Sequence, residues 1–183
     1  WEQFDLGTSG IPTDDTVNGP MVRSFQGTVN PVRIIPRISE ILQNGGNSTT
    51  WEKLPSVTRD QTFRLTVRDN DINGGQNDFD SMTMSVVDTG APFIVTSQNQ
   101  DNQIVWTPGE TETITWNVAG TAGNGINESN VNILLSTSEA PANSDTEDFD
   151  IILATNVPNN GSFDLTVPDL SAPYCRIMVE AAN

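Results

Sequence analysis

Three observations predict an all-β chain of two tandem antiparallel β-sandwiches. Short segments alternate apolar and polar residues with period two, as in 61–68 (QTFRLTVR), where Phe63, Leu65 and Val67 share one face. Asn-Gly, Pro-Gly and Asn-Asn-Gly turn signals separate these segments. At 87–92 (VDTGAP) a strand-like run gives way to small residues and proline, which divides the 183 residues into two domains.

Residues 1–20, with Gly7, Gly10, Pro12, Gly19 and Pro20, read as an irregular lead-in. The first sandwich is expected over 21–88. It has a short helix at 39–43, capped by Ser39 and ended by Gly45. Strands follow at 61–68 and 81–87, the second alternating through Met82, Met84 and Val86. The second sandwich, 91–183, offers strands at 93–96, 111–118, 130–136, 150–153, 162–167 and 174–180. A sandwich of this kind has about seven strands. Six strands, the last ending near Asn183, predict a chain truncated at its C-terminus, with an open sheet edge able to pair with another molecule.

Hydrophobic residues make up 35% of the chain, enough for a core, and no apolar run is long enough to span a membrane. The opening WEQFD has no signal-peptide character, so a mature or excised fragment is expected. The net charge is −16. Residues 1–88 carry 12 acids and 7 bases, whereas 89–183 carry 12 acids and a single base. Such a surface repels phosphate backbones and anionic lipid, which argues against nucleic-acid and membrane partners. Arg23, Arg33, Arg37, Arg59, Arg64 and Arg68 all lie in the first domain, where they are expected to pair with its acids or to face an acidic neighbour. Cys175 is the only cysteine, so no internal disulfide can form; its strand-like surroundings predict a buried structural thiol.

Residues 69–80 (DNDINGGQNDFD) carry the one spacing that points to specific chemistry. Oxygen-bearing side chains stand at loop positions 1, 3, 5, 9 and 12, with glycine at position 6, the pattern of an EF-hand calcium loop. Asp69, Asp71 and Asn73 would supply side-chain oxygens and Gly75 its carbonyl. Asn77 would bind directly or through water, and Asp80 would close a shell around a structural Ca2+. Aspartate stands where glutamate is usual, Gln76 replaces an apolar residue, and the flanks read as strands rather than helices. The other reading is a bare hairpin tip, since Asp, Asn and Gly are what turns use. A second acidic run, 145–150, lacks glycine-gated spacing and reads as a charged surface loop.

With no histidine in the chain, Cys175 lacks the usual base of a cysteine nucleophile, and the carboxylates are too scattered in loops to single out a glycosidase pair. Trp116 shares a face with Ile114 and Val118 and is assigned to the core, with Trp106 beside it. That leaves Trp1 and Trp51 as candidates for a carbohydrate platform, Trp1 alternatively belonging to a severed domain contact. Asn47, Asn127 and Asn160 begin N-x-[ST] sequons, which matter only in a glycosylating host.

The stretch 104–121 (IVWTPGETETITWNVAGT) resembles the opening of immunoglobulin-like modules in secreted bacterial proteins, with related modules in fungal wall proteins. The match continues through 130–136 and 153–162. In the first domain, 19–25 (GPMVRSF), 33–38 (RIIPRI), 51–55 (WEKLP) and 63–70 (FRLTVRDN) are similar to the segment that follows the catalytic domain in secreted reprolysin-like zinc metallopeptidases of Bacteroidetes. The resemblance implies immunoglobulin-like or fibronectin-like sandwiches, a secreted, extracellular parent, and a partner in that parent's catalytic domain. It also implies a non-catalytic role as spacer or substrate-engaging module, with protein or glycan as the substrate engaged. The family's catalytic zinc site needs H-E-x-x-H and a further histidine, so no zinc and no enzymatic activity are expected of this chain. The alternative is a carbohydrate-binding or adhesive cell-surface module.

Overall fold

The computed structural model describes residues 1–7, 10–44, 47–99, 104–138 and 149–183. The described residues are almost entirely β-strand and loop, with three small antiparallel sheets and one short helix. They fall into two compact units, Trp1–Asp88 and Thr89–Asn183.

The first unit contains β1 (Glu2–Gln3), α1 (Ile38–Gln43), β2 (Arg59–Arg68) and β3 (Asn77–Val86), with the strands in the order β1-β2-β3. Among the described residues it has one sheet, where a sandwich would need two. The sheet's face is instead covered by irregular chain. Met21 and Val22 pack on Phe63, with Trp1 and Ile35 against them. Cover reaches only the near end of β2, where Arg59, Gln61 and Phe63 are buried while Val67 is exposed. β3, the edge strand, is exposed along nearly its whole length.

The lead-in is part of this unit. Gln3 pairs with Phe63, and its side-chain Oε1 accepts from the backbone N–H groups of Met21 (2.7 Å) and Val22 (2.9 Å). Gly7 lies so close to Gly19 that a Cβ there would collide with backbone. Trp1 is half-buried and donates its indole N–H to the Pro31 carbonyl at 2.6 Å, so it belongs to this unit's own packing. α1 starts at Ile38 without the Ser39 cap that its sequence suggests, and no side chain caps it. Its N-cap residue, Arg37, donates its backbone N–H to the buried carboxylate of Glu52 at 2.8 Å, which sets the entry of the chain into the helix. Gly45, its expected end, lies outside the described residues.

The second unit contains β4 (Ile94–Val95), β5 (Thr111–Asn117), β6 (Asn130–Ser136), β7 (Ile151–Pro158), β8 (Ser162–Thr166) and β9 (Arg176–Ala181), in two sheets ordered β4-β5-β8 and β7-β6-β9. One apolar core joins them: Ile114 and Trp116 from β5 and Leu165 from β8 meet Val131, Ile133, Val157 and Val179 from the other sheet. Burying each such side chain contributes roughly 1.5–3 kcal/mol. The tryptophan assignments hold, with Trp116 buried and Trp106 packed against the cluster.

A buried asparagine ties this core to its loops. Asn159 accepts the Trp116 indole N–H at 2.9 Å and donates to the Thr121 hydroxyl (2.9 Å) and the Glu128 carbonyl (3.0 Å). Two residues on, Gly161 adopts φ +97, and a Cβ there would stand 3.2 Å from the Trp116 carbonyl oxygen. Both glycine's conformational freedom and its small size are needed at that turn.

Candidate functional site

The first unit concentrates its buried polar chemistry around Glu52. The segment 51–53 runs antiparallel to 21–23 through a Val22–Glu52 bridge, an Arg23 N–H bond to the Trp51 carbonyl and a Lys53 N–H bond to the Met21 carbonyl, both at 3.0 Å. This pairing turns the Glu52 side chain into the interior, where it is fully buried. One carboxylate oxygen accepts from the Arg33 guanidinium at 2.8 Å and the other from the Arg37 backbone. Arg33 also donates to the carbonyls of Trp1 (2.6 Å) and Arg23 (2.7 Å). Buried Arg59 works the same way, donating to the carbonyls of Thr16 (2.9 Å) and Gly19 (2.8 Å) with Asp5 at 3.6 Å. These charges hold irregular chain in place by supplying partners to backbone groups that no strand satisfies.

On the outer side of Glu52, three guanidinium groups converge on one ring. Those of Arg23, Arg33 and Arg37 lie 5.2, 5.0 and 3.2 Å from the centre of Phe25. Arg23 also stands 5.6 Å from the ring of Trp51, which is 59% exposed. Arg33 is neutralised by Glu52, but among the described residues neither Arg23 nor Arg37 has a carboxylate partner. Sequence reasoning places these arginines in the first domain without bringing them together. The available signal is local: Arg23 two residues from Phe25, and Arg33 four from Arg37. Elsewhere in the unit, Arg64 sits over both Phe4 (3.8 Å) and Phe79 (4.1 Å).

The acidic stretch forms the end of the β2–β3 hairpin. Pairing runs from Arg59–Val86 to Arg68–Asn77 without interruption, so the loop proper is 69–76, and 77–80 belong to β3 rather than to the loop. Asp69 accepts from the N–H groups of Asp71 (3.1 Å) and Gln76 (2.9 Å), and Asp71 accepts from Asn73 N–H at 2.7 Å. Gly75 lies beside Asp69 and Asp71, where a Cβ would crowd both. The structure thus brings together Asp69, Asp71, Asn73 and Gly75 in one self-bonded turn. Asn77 and Asp80 do not join them: three residues apart along a strand, they project to opposite faces. Asp78 and Asp80 accept from the N–H groups of Phe79 and Ser81 on β3 itself. Among the described residues no three acidic, cysteine or histidine side chains are placed to hold a metal. Asn77 and Asp80, on opposite faces of β3, therefore do not both turn toward the loop that carries the other four.

Cys175 is exposed, a correction to the buried thiol its sequence suggests, because β9 begins only at Arg176. Partial desolvation beside Trp106, Tyr174 and Ile177, which line a cleft of 530 Å³ with it, raises the thiol pKa above its ordinary value of 9.0. Of the acidic run 145–150, Asp145, Glu147 and Asp148 lie outside the described residues, while Phe149 is buried and Asp150 exposed. Among the described residues no helix is long and apolar enough to cross a membrane. No protein-family model, curated protein or solved structure matches this chain.

Proposed function

We propose that the chain is a non-catalytic accessory region of a secreted, reprolysin-like bacterial zinc metallopeptidase, a spacer or substrate-engaging module built of two β-units, the second immunoglobulin-like. The observation that carries the non-catalytic reading is chemical. The chain contains no histidine, and its buried charges, Glu52 and Arg59, are bonded to backbone N–H groups and carbonyls and to the charged side chains of Arg33 and Asp5. The second unit's two sheets around Trp116 support the immunoglobulin-like assignment, as does the resemblance of 104–121. Incubation with casein and zinc tests the reading: the chain leaves casein intact, and hydrolysis that survives rigorous purification overturns it.

The rival reading, a carbohydrate-binding or adhesive surface module, is favoured by one observation, the exposed Trp51 ring held beside Arg23.

A further inference from the structure

We infer that Arg23, Phe25, Arg37 and Trp51 form a binding site for a single acidic sugar, a hexuronate-type residue whose carboxylate meets the two guanidinium groups and whose ring lies on Trp51. The site stands on these residues and holds whether the parent protein is a protease or an adhesin.

Charge distribution is the first argument. The chain carries 8 basic residues against 24 acidic ones, yet three of the 8 converge on one phenylalanine. Like charges brought this close repel unless an anion joins them. Glu52 supplies one anion, and its partner is Arg33, leaving Arg23 and Arg37 without an ion pair among the described residues. A guanidinium presents a planar fork of donors that matches a carboxylate with two parallel hydrogen bonds. Stacking on Phe25 restrains the Arg37 fork before any ligand arrives, which lowers the ordering cost of binding.

Support from beneath is the second. Fully buried Glu52 fixes the Arg37 backbone and the Arg33 side chain at once, and the adjacent Trp51–Arg23 backbone bond sets the distance between aromatic platform and cation. These are supporting contacts of the kind that hold a binding constellation to useful precision.

The class of ligand follows from what the site combines. An exposed tryptophan face offers a large, rigid surface at little entropic cost, suited to the C–H face of a sugar ring. Two cations beside it ask for a negative charge. A polyanion is disfavoured, because the first domain is itself acidic, with 12 acids against 7 bases, and repels charges beyond the two that Arg23 and Arg37 can meet. One carboxylate on one ring satisfies both demands.

Isothermal titration of the whole chain with a glucuronate-terminated disaccharide tests this, with the matching neutral disaccharide, acetate and an acidic pentapeptide titrated in parallel. A ligand of this size with one charged anchor is expected to bind with Kd on the order of a millimolar. The neutral sugar and acetate should each bind about tenfold more weakly or not at all. Arg37→Gln and Trp51→Ala should each weaken the acidic sugar by about tenfold, with thermal unfolding unchanged because both side chains leave the Glu52 bonds in place. Arg23→Lys should weaken it too, since charge alone lacks the fork. Four outcomes overturn the proposal: no binding of the acidic sugar, acetate binding as tightly as the sugar, the pentapeptide binding more tightly than the sugar, or full affinity in both Arg37→Gln and Trp51→Ala. None of them bears on whether the chain cleaves casein.

Discussion

Arg33 and Glu52 form a 2.8 Å ion pair in which the carboxylate is fully buried and the guanidinium nearly so. Each holds more than its partner: Arg33 reaches the carbonyls of Trp1 and Arg23, and Glu52 the N–H of Arg37. Replacing Glu52 leaves a buried cation without its anion and an orphaned backbone N–H. Glu52→Gln is expected to destabilise the first unit by roughly 3–5 kcal/mol, read as a lower urea midpoint.

Asn159 and Trp116 make the corresponding tie in the second unit. Asn159→Ala removes three side-chain hydrogen bonds and leaves the Trp116 indole N–H unsatisfied in the core. A loss of about 2–4 kcal/mol is expected, seen in the unfolding transition reported by tryptophan fluorescence. Asn159→Asp keeps the acceptor for the indole but sets a buried carboxylate oxygen against the Glu128 carbonyl, and should destabilise at least as much as alanine.

At the hairpin tip, Asp69 accepts two backbone N–H groups, and Asp78 and Asp80 stand beyond the turn on β3. Calorimetric melting in millimolar calcium and in chelator should give the same midpoint, since only a cation that binds the folded state raises it. Asp69→Ala should cost about 1 kcal/mol in either condition. A calcium-dependent rise abolished by Asp69→Ala would restore the metal site.

Cys175 is exposed, so iodoacetamide should label the native chain without denaturant. Partial desolvation raises the thiol pKa, so labelling at pH 8 should be slower than for an unfolded control and should accelerate at a higher pH. The linkage has a definite sign. A folded-state pKa raised above the unfolded value contributes stability that is present below the unfolded pKa and lost as pH rises through the folded pKa.

Legibility followed the apolar pattern. β5 was readable because Ile114 and Trp116 alternate with Thr113, Thr115 and Asn117, and both are buried. The first unit was harder because Arg59 and Gln61 occupy inward positions of β2 next to Phe63, so polarity there does not report exposure. The β3 boundary was misplaced because Asn77, Asp78 and Asp80 have low strand propensity, yet the turn closes at Gln76 through Asp69 and ladder pairing carries β3 back to Asn77. Of the meeting of Arg23, Arg33 and Arg37 only the local spacings were readable: the rest depends on Glu52, whose partners come from distant chain segments brought together only by folding.

The first seven residues have a consequence for how the first unit can be cut. β1 edges the sheet, Gln3 holds the chain at Met21 and Val22, Asp5 accepts the Thr62 N–H, and Gly7 nests against Gly19. Without β1 the sheet is a two-stranded hairpin, which has little stability of its own. The start of the chain therefore acts as a latch rather than a tail. A protease that nicks between Gly10 and Pro20 releases the latch, and what remains opens as a whole instead of fraying from one end.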